Sequence, residues 1–175
     1  KKIILIGAGK HAFVLAEKIF EEQKYELCGF IDDKDVMLPK FIKDKGYGIL
    51  GDDSTLDEYS TETYFHLALG ADFLSVRQQL IQRIQKLNLK TTSIIHSSAY
   101  IAESVITSQS MAVLVNAVVH TNVQIGDFSC INTGAIVEHD CKIGNNVFIQ
   151  PRAVLAGNVS VEDNSVIGVG ASIRN

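Results

Sequence analysis

The sequence predicts two units of different class: an α/β, half-Rossmann-like domain over residues 1–92, and an all-β parallel β-helix of hexapeptide repeats over residues 93–175. Three observations carry this. Up to about Lys90, strand-like and helix-like segments alternate, and the first strand runs into Gly7-Ala8-Gly9. From Ile95 onward the apolar pattern has a period of six that never slips. Within that period, one row of positions is dominated by Asn, Asp and Gly.

In the first unit, Ile3 to Ile6 reads as a buried strand, and His11 to Glu22 carries Phe13, Ala16, Ile19 and Phe20 at helical spacing. A second strand spans Glu26 to Ile31 and is stopped by Asp32-Asp33. A third spans Tyr64 to Leu69 and ends at Gly70. Leu74 to Leu87 is an amphipathic helix with Val76, Leu80, Ile84 and Leu87 on its apolar face. Alternation of this kind implies a parallel sheet covered by helices. Lys34 to Asp53, with Pro39, Gly46, Gly48 and Gly51, reads as a long loop or short strands.

In the second unit, stepping by six from Ile95 to Ile173 meets fourteen residues, all aliphatic except Thr107. Four residues after each of the first thirteen stands a small or medium uncharged residue, from Ala99 to Ala171. Three residues after each comes the row Ser98, Ser104, Ser110, Asn116, Asn122, Phe128, Gly134, Asp140, Asn146, Arg152, Asn158, Asn164 and Gly170. Asn, Asp and Gly enter left-handed backbone at low cost. Each hexad is therefore a short strand with an inward aliphatic, followed by a corner, which is the grammar of a β-helix. The repeat is still running at Asn175, and a repeat array requires a polar cap, so the array is expected to continue beyond it.

Composition narrows the function classes. The 46% apolar content of 175 residues suffices for real cores. A net charge of −4 with no Lys/Arg cluster argues against nucleic acid or an anionic membrane as the main partner. No run reaches the ~18 apolar residues of a membrane span, and Lys1-Lys2 before a short β-like run is not a signal peptide. Cys28, Cys130 and Cys141 form an odd, scattered set without C-x-x-C spacing, as expected of a reduced, cytoplasmic protein. Zinc ligation by histidines, as in γ-type carbonic anhydrases, needs a pair five residues apart, and none exists here, so no metal is expected.

Gly7-Ala8-Gly9-Lys10-His11-Ala12 satisfies G-x-G-x-x-G/A, with Asp32 and Asp33 about twenty residues on. The pattern is that of a dinucleotide fingerprint, or of a tight βα turn with no ligand. The unit has room for one mononucleotide-binding half, which argues against NAD(P). Among the histidines, His66 within a strand and His96 at the start of the hexads read as structural. His120 and His139 are candidates for chemistry. With eighteen residues per coil, residues eighteen apart stack about 4.8 Å away. His139 then lies between Thr121 and Gly157, the glycine leaving room for a thioester, and His120 stacks on Glu138 as an ordinary ion pair.

The hexads resemble those of the left-handed β-helix acyltransferases, whose triangular coils take three hexads each. The whole chain is similar to the sugar O- and N-acetyltransferases of the sialic acid and bacillosamine type, most specifically over Ile131 to Cys141, I-N-T-G-A-I-V-E-H-D-C. The resemblance implies a homotrimer with active sites between adjacent subunits, taking acetyl-CoA as donor and a nucleotide-linked sugar as acceptor in surface-glycan or glycoconjugate assembly. It implies that His139 is the general base and that Asp140 raises its basicity, with Glu138 as a substitute partner. By position it implicates Gly9, Lys10, His11, Asp32, Asp33 and Gly70 in nucleotide-sugar binding, and Asn132 at the acceptor. It places Gly157, Gly168 and Val169 along the CoA groove. Phe148 stands where the family often has a second histidine; a phenyl ring cannot donate a hydrogen bond but can pack against the pantetheine arm.

Several of these positions keep a plainer reading. Asp140 is also in the corner row, Asn132 can serve a turn, and Lys10 can be either a phosphate contact or a solvated lysine at the helix start. Cys141 falls in the small inward row and is expected to be core. Two other functions remain open: O-acetylation of a free sugar acid such as sialic acid, and a non-catalytic trimer that binds nucleotide sugars.

Overall fold

A computed structural model describes residues 1–32, 35–59 and 62–175. The chain forms two compact units, Lys1–Thr92 and Ser93–Asn175.

The first unit is a four-stranded parallel sheet in the order β3-β2-β1-β4. Its strands are β1 (Lys2–Ile6), β2 (Glu26–Ile31), β3 (Ile49–Gly51) and β4 (Tyr64–Leu67). The apolar run of β1 is buried from Ile3 to Ile6, as a central strand covered on both faces must be. Helix α1 (Lys10–Glu22) crosses from β1 to β2 and buries Ala12, Leu15, Ala16 and Ile19. It ends where Gln23 turns into the left-handed region at φ 52° and its N–H reaches the Ile19 carbonyl. The expected loop between Lys34 and Asp53 contains a helical turn, α2 (Lys40–Lys43), and the edge strand β3. Helix α3 (Leu74–Lys86) follows a short 3₁₀ turn at Ala71–Phe73. The third predicted strand stops at Leu67, two residues early: after the Ala68 N–H meets the Ile6 carbonyl, the next donor of the first strand's end, the Ala8 N–H, goes to Asp32 instead, while the guanidinium of Arg77 takes the carbonyls of Leu67 (3.3 Å) and Leu69 (2.6 Å) on the outer edge.

The second unit is a three-sided parallel β-helix built from thirteen two-residue strands. Partners lie eighteen residues apart: Cys130 pairs with Ala112 on one side and with Phe148 on the other. The strands stack into three sheets, one per face. The interior is the two predicted rows, aliphatics such as Val113, Ile131, Ile149 and Leu155 with small residues such as Ala117, Ala135, Cys141 and Ala153. Ser129 is a buried polar residue in the inward rows, and its hydroxyl is satisfied by the Gly144 carbonyl and the Val147 N–H. Ten successive corners, from Asn116 to Gly170, hold φ between 54° and 66°, including Phe128 and Arg152. The expectation fails only at the start. Ser98, Ser104 and Ser110 are not in this conformation, and at Thr107, where a hydroxyl replaces part of the aliphatic group, a single bridge from Ile106 to Gln124 stands where a strand would lie.

Among the described residues, no helix is long and apolar enough to cross a membrane, and no group of three His, Cys, Asp or Glu could hold a metal ion.

Two outcomes follow from the cores. Ile131 is fully buried; Ile131→Asp leaves an unpaired charge in the prism and should abolish folding of the second unit, whereas Ile131→Ala should cost about 2–5 kcal/mol. Circular dichroism of the two variants checks this, and a native spectrum for Ile131→Asp would contradict it. In the first unit, burial holds the His66 imidazole at a pKa of about 4, against the pull of a 2.8 Å contact to the Thr92 carbonyl and with that of Arg77. The unfolded chain, titrating near 6.5, binds more protons between those values. His66 thus contributes on the order of 3 kcal/mol above pH 6.5 that is lost as pH falls towards 4. Four of the five tyrosines lie in this unit, so tyrosine fluorescence should show its melting midpoint falling from pH 7 to 4.5. A flat midpoint would mean His66 is not buried neutral.

Candidate active site

The first cluster lies at the carboxyl edge of the sheet. Gly7 turns the chain at φ 106°, and a Cβ there would lie 2.7 Å from the Leu69 side chain, so this close passage requires glycine. The Gly7 N–H donates to the Ile31 carbonyl (2.6 Å), and the Ala8 N–H donates to Asp32 Oδ2 (2.8 Å). One oxygen of Asp32 therefore holds the turn itself, where the fingerprint pattern suggests a ligand contact. Gly9 caps α1 without a side-chain hydrogen bond, no acidic residue stands in the first turn, and a Cβ on Gly9 would meet nothing within 4 Å. That leaves an open helix N-terminus with the polarity an anion requires.

His11 and Gly70 meet here, the Gly70 Cβ position lying 3.9 Å from His11 Cβ. Burial above all, then His66 and Arg77, lowers the His11 pKa to about 4, so this imidazole is neutral at pH 7. The backbone thus brings Gly9, Lys10, His11, Asp32 and Gly70 to one edge. Asp33 lies outside the described residues.

Beside the turn opens a cleft of about 470 Å³, floored by Gly7 and Asp32 and walled by α3 through Gln79, Gln82, Arg83 and Lys86. These four residues escaped the sequence reading, although their spacing of three to four marks a polar stripe along α3. In the cleft wall, Arg83 Nη2 reaches the Ser54 carbonyl at 3.4 Å, Nη1 stays 3.8 Å from Asp53, and the buried Nε has no hydrogen-bond partner among the described residues.

The second cluster is on the β-helix. His139 Nδ1 lies 2.8 Å from Asp140 Oδ2, and both side chains are about half exposed. Asp140 is at a left-handed corner, φ 61°, so its backbone and carboxylate readings are both realised. Its carboxyl is held below the usual range, first by the His139 bond and then by Asn122. An anionic acceptor at Nδ1 fixes the tautomer with the lone pair on Nε2, the nitrogen left for a substrate proton. Glu138 makes its ion pair with His120, 4.0 Å away.

Gly157 does more than leave space. A Cβ on it would lie 2.5 Å from Cε1 and 2.6 Å from Nε2 of His139, so the imidazole fills the room expected for a thioester. Asn132 Oδ1 accepts from the Thr133 N–H at 2.8 Å, a turn contact. Phe148 is buried at 1% exposure and presents no open face in the chain as it stands. Gly168 has nothing near it, and Val169 is exposed. The Cys141 thiol is interior, donating to the Ala156 carbonyl, and burial raises its pKa, which suits a core group and not a nucleophile.

Both units are similar in sequence and fold to known proteins. Residues 2–84 match the PglD N-terminal domain, and residues 140–175 match the bacterial transferase hexapeptide of six repeats. GDP-perosamine N-acetyltransferase of Escherichia coli O157:H7 is 28% identical over 97% of this chain and 76% of its own. Among solved structures, a histidine-to-asparagine mutant of perosamine N-acetyltransferase from Caulobacter crescentus, in complex with CoA and GDP-perosamine, superposes with a TM-score of 0.87. It is 27% identical over 99% of this chain and 80% of that one. The acetyltransferase domain of PglB from Neisseria gonorrhoeae FA1090, in complex with acetyl coenzyme A, also gives 0.87, with 32% identity over 98% of this chain and 80% of that one. On the extent and identity of these matches, the chain belongs to the family of hexapeptide-repeat, left-handed β-helix acetyltransferases that carry a PglD-type N-terminal domain.

Proposed function

We propose that this chain transfers the acetyl group of acetyl-CoA to the amine of a nucleotide-linked sugar, with His139 as general base. The observation that carries the reading is the 2.8 Å contact of His139 Nδ1 with Asp140 on the outer surface of a β-helix coil, with the ring half exposed. The neutral amine nitrogen forms a bond to the thioester carbonyl carbon, and its proton passes to His139 Nε2. The C–S bond then breaks, and the departing CoA sulfur takes that proton. The products are an amide and free CoA, with no enzyme-bound acyl group. A positioned base of this kind supplies roughly 10²–10⁴-fold.

In this reading residues 1–92 bind the nucleotide sugar. The α1 N-terminus at Gly9, Lys10 and His11 takes the diphosphate, Asp32 and Gly70 shape the turn around it, and Asp33 accepts from base or ribose. The α3 wall, Arg83 foremost, encloses the rest of the nucleotide; its buried, unsatisfied Nε supports this. Residues 93–175 carry the donor, with Gly157, Gly168 and Val169 along the CoA groove, Phe148 behind it and Asn132 towards the acceptor. The enzyme works as a homotrimer with each site shared by adjacent subunits. Exposed Tyr100, Ile106, Val166 and Val169 supply apolar surface for that contact. The compartment is the cytoplasm, in keeping with three cysteines that form no disulfide.

Release of free thiol from acetyl-CoA, measured with UDP-, GDP- and CMP-linked amino sugars and with free sialic acid, tests the reading and identifies the acceptor. His139→Ala should lower turnover at least 10²-fold with CoA binding unchanged; near-normal turnover would remove His139 as the base. Gly157→Ala should lower kcat by displacing the imidazole, visible as a changed His139 rotamer in a crystal structure. Full activity with the ring in place would show that the close contact does not orient it.

A further inference from the structure

The carboxylate that orients the base is itself held from the coil before it. Asp140 Oδ2 accepts from His139 Nδ1, and Oδ1 accepts from Asn122 Nδ2 at 3.3 Å, eighteen residues back. Asn122 is in turn anchored, its backbone N–H donating to Ser104 Oγ at 3.1 Å, another eighteen residues back. Both oxygens of the carboxylate are thereby engaged in different directions, which fixes the plane it offers to the imidazole. We propose that Asn122 is a positioning residue for the transfer reaction, acting on His139 through Asp140.

The proposal rests on His139 being the base. Its competitor is specific: elsewhere in the same unit Asn146 Nδ2 reaches Asn164 Oδ1 at 2.9 Å and Asn145 Nδ2 reaches Asp163 at 3.3 Å, so amide ladders between coils also occur where no imidazole is attached. The Asn122 ladder differs in its end point, a carboxylate whose second oxygen is committed to a histidine. Its loss frees the Asp140 side chain to rotate about Cα–Cβ and Cβ–Cγ. His139 then keeps its neighbour but loses a defined direction for Nε2. A misdirected base lowers the rate of proton removal without weakening substrate binding.

Two variants separate orientation from scaffolding. Asn122 has φ 59°, so Asn122→Gly keeps the corner unstrained while deleting the amide, and Asn122→Asp keeps shape and corner tolerance while setting a second carboxylate beside Asp140. For Asn122→Gly the expected result is a fall in kcat of about tenfold, with both KM values and the melting midpoint nearly unchanged. For Asn122→Asp the acid limb of the pH–rate profile should move to higher pH, because added negative charge favours the protonated imidazole. In an Asp140→Ala background, Asn122→Gly should have no further effect on kcat.

A purely structural ladder would lower the melting midpoint and leave kcat and the acid limb alone; that result, or additive effects of the two substitutions, overturns the proposal. His139→Ala run in parallel keeps the outcomes distinct. An inactive His139→Ala beside a fully active Asn122→Gly rejects the role of Asn122 alone, whereas an active His139→Ala rejects the base on which it rests.

Discussion

The constraint on which the rest depends is the left-handed backbone at one position in every six. A two-residue strand is too short to define a sheet, and what aligns it is the corner that precedes the next strand. Ten corners in a row at φ near +60° bend the chain by the same amount in the same sense, so residues eighteen apart fall into register and their amides find partners. The aliphatic row then points inward at every step and closes a continuous core. Phe128 and Arg152 accept this conformation against their own preference, at about 1–2 kcal/mol each, because neighbouring coils leave them no alternative.

The cluster around His139 is assembled from the same device. Asp140 occupies a corner, so its side chain leaves the prism at an edge and meets the imidazole of the residue before it. The coil on one side contributes Asn122, and the coil on the other contributes the bare backbone of Gly157. An imidazole held between three successive coils needs no loop to order it. The first unit works differently: its turn is held by a contact across twenty-four residues, from the Ala8 N–H to Asp32, and its polar cleft opens where the strands end.

Much of this was legible in the residues. From Met111 to Val161 the hexad rows identified the interior of the second unit side chain by side chain, since a period of six repeated fourteen times leaves little freedom in register. Three strands and the two long helices of the first unit followed from apolar spacing, and His139 with Asp140 stood in the one segment most similar to a known active site. The missing parts depend on distance in space. That Asp32 closes its own turn, that the imidazole lies over Gly157, and that Phe148 is covered are facts about which atoms arrive where. The stripe Gln79, Gln82, Arg83 and Lys86 was visible as a polar face on α3, but only the cleft beside it distinguishes that face from ordinary solvated surface. The short strand Ile49–Gly51 has too few residues for its alternation to show.

A prism with three equal faces makes sequence length an angular coordinate. Gain or loss of one hexad ahead of Ile131 would leave the core continuous and every hydrogen bond replaceable, yet it would turn the face bearing His139 by a third of a revolution relative to the coils before it. Three hexads together would restore the heading and displace the face by one strand spacing, about 4.8 Å. Evolution on such a scaffold moves a reactive group in discrete steps around an axis, and a sequence that differs by six residues can fold equally well while aiming its chemistry elsewhere.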